Sequence, residues 1–164
     1  MAIETEELDV VIEIPAAPEF VSLVRLVVSS FAASQRLLSE ERVDDLRLAV
    51  SEATTNAIEA YHGRPDGRVR VGWREQPDCL EVVVRDDGVG FDPDRLVRHP
   101  PVTDARRLQF ERGLGIPLMR MLVDDVVFET GPGGTTVRLR LACEAIPGEP
   151  TAEYQVVRRE SDAS

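Results

Sequence analysis

The sequence predicts an α+β fold in two layers, with helices packed on one face of a mixed or antiparallel sheet. Three observations predict it. Apolar residues alternate with period two in several short stretches and recur at helical spacing in longer ones. The strands come mostly as hairpins, and the first two helices follow each other directly.

Leu8, Val10, Ile12 and Ile14 alternate as a first strand, closed by Pro15. Pro18 suits the first turn of a helix, which Phe20, Leu23, Val24, Val27, Val28 and Phe31 continue to a polar break near Ser34–Gln35. Ser39 with Arg42, or Glu41 with Asp44 and Asp45, opens a second helix with acidic residues at its positive end. Leu46, Ala49, Val50, Ala53, Ala57 and Ala60 carry its apolar face to about Tyr61, and the turn from Gly63 to Gly67 stops it. Val69, Val71 and Trp73 make a strand paired as a hairpin with Leu80 to Val84. Phe91 to Arg112 shows no periodicity, which in a compact domain marks a functional or mobile segment. A third helix is expected over Leu114–Val123. A last hairpin joins Val126–Thr130 to Thr135–Leu141 around Gly131–Gly134. The domain is therefore set at residues 8–143, with a lid at about 91–112, a flexible start at 1–7 and a loose tail at 144–164.

The 164 residues suffice for one domain with a full core. A net charge of −11 argues against nucleic-acid binding, which needs a basic footprint. It fits a basic protein partner, or simply a solvated acidic surface. Cys79 and Cys143 form neither a disulfide framework nor a zinc motif, so a reducing cytoplasm is expected. The acidic stretch from Met1 to Asp9 is unlike a secretory signal, and no apolar run approaches the ~20 residues of a membrane span.

Glu52 and Asn56 are four apart and share one helix face, turned away from the alanine stripe. A solvated polar face is the plain reading. The functional one is a carboxylate and an amide oxygen aimed at a metal–phosphate group, since Mg²⁺ prefers hard oxygens and few protein ligands. Asp86-Asp87-Gly88-Val89-Gly90 follows a strand, so it is either a simple turn or a carboxylate beside two glycines that admit a ligand. Such a carboxylate can accept a hydrogen bond from an adenine amino group. Arg112-Gly113-Leu114-Gly115 precedes a helix whose amides would face an anion, and Gly134-Thr135-Thr136 opens the last strand. Neither glycine pair extends to a dinucleotide fingerprint, and no P-loop lysine follows.

In their order, Glu52-x-x-x-Asn56, Asp86-x-Gly88-x-Gly90, a lid, Gly113-x-Gly115 and Gly134-Thr135-Thr136 resemble the GHKL ATPase superfamily over about residues 8–142. Within it, "LRLAVSEATTNAIEAY", "VVVRDDGVGFDP" and "ERGLGIPLMRMLVDDVVFETGPGGTTVRLRL" resemble the anti-sigma factor serine/threonine kinases. The resemblance implies a two-layer sandwich of the GHKL type with an ATP lid. Asn56 would hold Mg²⁺, and Glu52 would be the general base on a substrate hydroxyl. Asp86 would recognise adenine, with Thr135 or Thr136 beside the base. Gly88, Gly90, Gly113, Leu114 and Gly115 would shape the pocket and lid, and Arg112 would approach the γ-phosphate. Many members carry His where this chain has Ala60.

The function so implied is an ATP- and Mg²⁺-dependent protein serine/threonine kinase. It would bind a sigma factor and phosphorylate a STAS-type anti-anti-sigma protein, with no direct contact to nucleic acid or membrane, and the resemblance also allows a homodimer. The alternative is a nucleotide-binding anti-sigma module that sequesters its partner without kinase turnover. A detached histidine-kinase ATPase domain fits less well, because the dimerisation helices and phosphoacceptor histidine are missing from the sequence.

Overall fold

The computed structural model describes residues 8–34, 38–64, 66–90 and 115–143. The elements are β1 (Val10–Pro15), a 3-10 turn (Pro18–Phe20), α1 (Val21–Ser34), α2 (Glu40–Glu59), β2 (Arg68–Glu75), β3 (Cys79–Asp86), α3 (Gly115–Leu122), β4 (Asp125–Gly131) and β5 (Gly134–Ala142). The strands form one sheet in the order β1-β2-β3-β5-β4, with every neighbouring pair antiparallel. Of the two sheet types expected, the described residues thus take the antiparallel one.

Strand periodicity becomes layering through the register. Ile12, Val71, Val84, Val137 and Phe128 lie side by side in one row across the sheet, and Val10, Trp73, Val82, Leu139 and Val126 in the next. Successive residues point to opposite faces, so these rows share the face under the helices. Val24, Val28, Leu46, Ala49, Val50, Ala53 and Met119 close over them with at most 1% exposure. Burying a side chain of valine or leucine size contributes roughly 1.5–3 kcal/mol, so this layer is the main source of stability. Phe31 tilts onto Trp73 at 5.6 Å between centroids, joining α1 to β2.

Local signals set the helix ends. The hydroxyl of Ser39 accepts from the Arg42 N–H at 3.4 Å, so Ser39 is the N-cap of α2, with Glu40 and Glu41 in its first turn. Pro18 opens a 3-10 turn and not an α-helical one, because α1 begins only at Val21. Ala60, expected within the helix, is its C-cap. Asp86, expected after the strand, is the last residue of β3.

Two polar clusters fix the frame. Arg42 donates to the Leu122 carbonyl at the end of α3 (2.9 Å) and to Asp124 (2.5 Å), and Asp124 also accepts from the Ala142 N–H (2.8 Å). One guanidinium thereby ties α2 to the C-terminal end of α3. On the sheet face away from the helices, Glu81 is fully buried between Arg74 and Arg140, each at 2.7 Å. A carboxylate so far from water needs both cations to offset its desolvation.

Candidate active site

β3 places Leu80, Val82 and Val84 toward the helices, and Asp86 continues that row. A carboxylate therefore stands where the pattern calls for another apolar residue. It is 4% exposed and sits in register with Val69 on β2 and Thr135 on β5. Its Oδ1 accepts the Gly88 N–H at 2.8 Å.

Burial raises the Asp86 pKa above the usual carboxylate value; bonds from the Gly88 and Thr135 amides oppose this, the Asp87 charge adds to it, and Arg85 partly offsets it. A buried carboxyl oxygen that borders an open cavity suits recognition of an amino group. Thr135 lies on the same face, and its hydroxyl is 3.3 Å from that of Thr130. Thr136 lies on the opposite face, in register between Arg85 and Glu129. A cavity of about 310 Å³ opens at this end of the sheet, lined by Asp86, Thr130, Thr135 and Thr136 among others.

The raised pKa sets a stability prediction. Folded Asp86 keeps its proton to higher pH than in the unfolded chain, so its contribution is greatest below the unfolded value. That contribution is lost as pH rises through the folded value. Asp86→Asn should therefore gain melting temperature relative to the parent protein between pH 4 and pH 7. Thermal melts of both at the two pH values check this, and an unchanged difference would refute the burial cost.

Glu52 and Asn56 are half-buried on the flank of α2 that meets the start of α3. Gly115, the first residue of α3, is buried against them. A Cβ there would stand 2.9 Å from Glu52 Oε2 and 3.3 Å from the Asn56 amide nitrogen. The carboxylate and the amide thus converge on a space kept open by a missing side chain, at a helix N-terminus whose amides attract anions. Gly115→Ala should leave stability nearly level, because the helix preference for alanine, roughly 0.5–1 kcal/mol in a helix interior and smaller at this first position, is opposed by the close contact with Glu52. It should still push the Glu52 carboxylate from its place beside Asn56, because the new Cβ would stand 2.9 Å from Oε2. Thermal melts beside the rate of any reaction that needs Glu52 separate the two effects.

The two clusters are joined along α2. One turn beyond Asn56, Ala60 touches the Asp86–Gly90 loop, where a Cβ on Gly88 would lie 2.8 Å from that of Ala60. Glu52 to Ala60 spans about 12 Å of helix axis, so the two ends of the site are spaced for an elongated ligand. Gly90 (φ 70°) runs against the Gly131 carbonyl, seating the loop on the β4–β5 hairpin. Gly134 (φ 112°) leaves no room for a side chain, which would overlap the Asp86 carbonyl. In the sequence Tyr61 is only a helix end, yet its hydroxyl accepts the Asp87 N–H at 2.8 Å. No periodicity or motif marks that contact, because it spans 26 residues. The lid at 91–112, Arg112, Gly113 and Leu114 lie outside the described residues, as do 1–7 and 144–164.

Among the described residues, no group of three or more His, Cys, Asp or Glu side chains is placed to hold a metal. None of the described helices is long and apolar enough to cross a membrane.

A family model described as a histidine kinase-like ATPase domain matches residues 14–141. The serine-protein kinase RsbW of Bacillus pumilus (strain SAFR-032) is 40% identical over 129 residues, covering 75% of this chain and 79% of that protein. RsbW of Bacillus subtilis (strain 168) is 38% identical over 128 residues, with the same coverage. Among solved structures, the histidine kinase domain of the blue-light activated histidine kinase from Erythrobacter litoralis EL346 is similar with a TM-score of 0.50. It is 23% identical and covers 79% of this chain and 62% of that one, a likeness of fold alone.

Proposed function

The chain belongs to the RsbW serine-protein kinases, built on the histidine kinase-like ATPase domain, and we propose that it transfers the γ-phosphate of ATP to a serine or threonine hydroxyl of a partner protein. In this reading it is a cytoplasmic anti-sigma factor. The sigma factor and a STAS-type anti-anti-sigma protein are its alternative partners, and the latter is the phosphoacceptor. The observation that carries the reading is the convergence of Glu52 and Asn56 on Gly115.

In the proposed mechanism Asp86 accepts the adenine amino group, with Thr135 beside it and Gly88 and Gly90 lining the approach. Asn56 offers one amide oxygen beside Gly115, a hard donor of the kind Mg²⁺ takes, and would hold that ion there. When bound, that ion neutralises charge on the transferring phosphate. The Gly115 and Ile116 amides at the start of α3 bind phosphate oxygens, Pro117 having no N–H to give. Glu52 takes the proton from the acceptor hydroxyl as its oxygen bonds to the γ-phosphorus and the bond to the β–γ bridging oxygen breaks, releasing ADP. Arg112, Gly113, Leu114 and the lid at about 91–112 enter on resemblance alone, to cover the γ-phosphate. So does the homodimer, and the catalytic domain is placed at 8–143.

The test is incubation of the protein with γ-labelled ATP, Mg²⁺ and a STAS-type acceptor. Label should move to a serine or threonine of the acceptor only with Mg²⁺ present. ATP bound without any transfer would instead identify a sequestering module.

A further inference from the structure

Tyr61 is 4% exposed although it sits just past the end of α2. Its ring packs against Gly67, where a Cβ would come within 2.6 Å of Tyr61 Cγ. The Arg64 guanidinium lies 5.4 Å from the ring centroid. The hydroxyl is therefore held at one point. It donates to the Arg68 carbonyl at 2.5 Å and accepts the Asp87 N–H at 2.8 Å. A phenol has one proton to give. With that proton committed to β2, the oxygen can serve the Asp87 amide only as an acceptor.

The peptide unit between Asp86 and Asp87 is thus held from both sides. Its N–H is bound by Tyr61, and its carbonyl lies against Gly134, where no Cβ fits. That peptide carries the Asp86 carboxyl on one side and leads into Gly88 and Gly90 on the other. We infer that Tyr61 is a positioning residue for nucleotide recognition, its hydroxyl setting where the Asp86 carboxylate and the glycine loop stand relative to α2. The inference rests on the reading of Asp86 as the adenine acceptor.

Tyr61→Phe tests it, because phenylalanine keeps the ring, its packing on Gly67 and its contact with Arg64. Only the oxygen is lost, leaving a donor and an acceptor unpaired. The KM for ATP should rise about threefold to tenfold, the worth of one ordinary hydrogen bond, while kcat at saturating ATP holds. Preference for ATP over GTP should narrow, since the purine-reading carboxylate is less fixed. A merely structural role would lower stability and the active fraction, hence apparent kcat, and leave KM and purine preference unmoved. An unchanged KM for ATP in the folded variant would overturn the inference.

Asp86→Ala, measured alongside, separates the two levels. If it weakens ATP binding while Tyr61→Phe does not, the inference alone fails. If neither matters, the adenine assignment fails with it. Should Tyr61→Phe not fold, amide exchange in the parent protein decides. Protection of Asp87 that deepens on adding ATP supports the inference, and exchange at the unprotected rate overturns it.

Discussion

Glu52→Gln is expected to lower phosphoryl transfer by about 10²–10⁴-fold and to leave ATP bound. The asymmetry follows from position. Glu52 and Asn56 stand one helical turn apart, both against Gly115. Adenine recognition is proposed at Asp86, past the Ala60 end of the same helix. Glutamine preserves the length and shape of the side chain but cannot take a proton from the acceptor hydroxyl. Its effect should fall on kcat, with KM for ATP nearly unchanged. Single-turnover transfer together with equilibrium ATP binding makes the distinction. Transfer at the parent rate would remove Glu52 as the base, and loss of ATP binding would reassign it to holding the nucleotide.

The second large effect is at the other end of the site. Asp86→Ala should weaken ATP binding by roughly ten- to a hundredfold, since a hydrogen bond to a charged group is worth about 1.5–3 kcal/mol. GTP, which presents a carbonyl where adenine presents its amino group, should be affected far less. The variant also leaves the Gly88 and Thr135 amides without their acceptor, so folding must be verified before affinity is compared. Titrations of ATP and GTP against both proteins check the prediction. Equal weakening of the two nucleotides would point to a disturbed loop and not to a lost adenine contact.

The elements that share a layer with this site were legible to different degrees. Strand alternation from Leu80 to Val84 and the apolar stripe of α2 read directly as the residues that bury, because burial follows the local period. The sequence allows two starts for α2, and the bond from the Arg42 amide to the Ser39 hydroxyl decides between them. Asp86 was recognisable as a candidate, but not as the last inward-facing residue of β3. A turn rich in aspartate and glycine looks like the end of a strand in any one-dimensional reading. Thr135 and Thr136 were interchangeable as letters. Strand pairing puts Thr135 beside Asp86 and Thr136 on the other face, since adjacent strand residues alternate.

What the sequence determined by itself was the two-layer α+β class, the positions of its helices and strands, and a set of candidate residues whose order resembles one ATPase superfamily. Each follows from local chemistry: periodicity, caps, glycines and motif order are all written within a few residues. Only the tertiary structure decided that Gly115 abuts Glu52 and Asn56, that Gly88 rests on Ala60, and that Tyr61 holds the Asp87 amide. Those contacts join residues tens of positions apart, and the antiparallel register of the sheet with α2 laid across it brings them within reach. The physical reason is that a side chain's period is set by its neighbours in the chain, whereas its partner is set by the packing of whole layers.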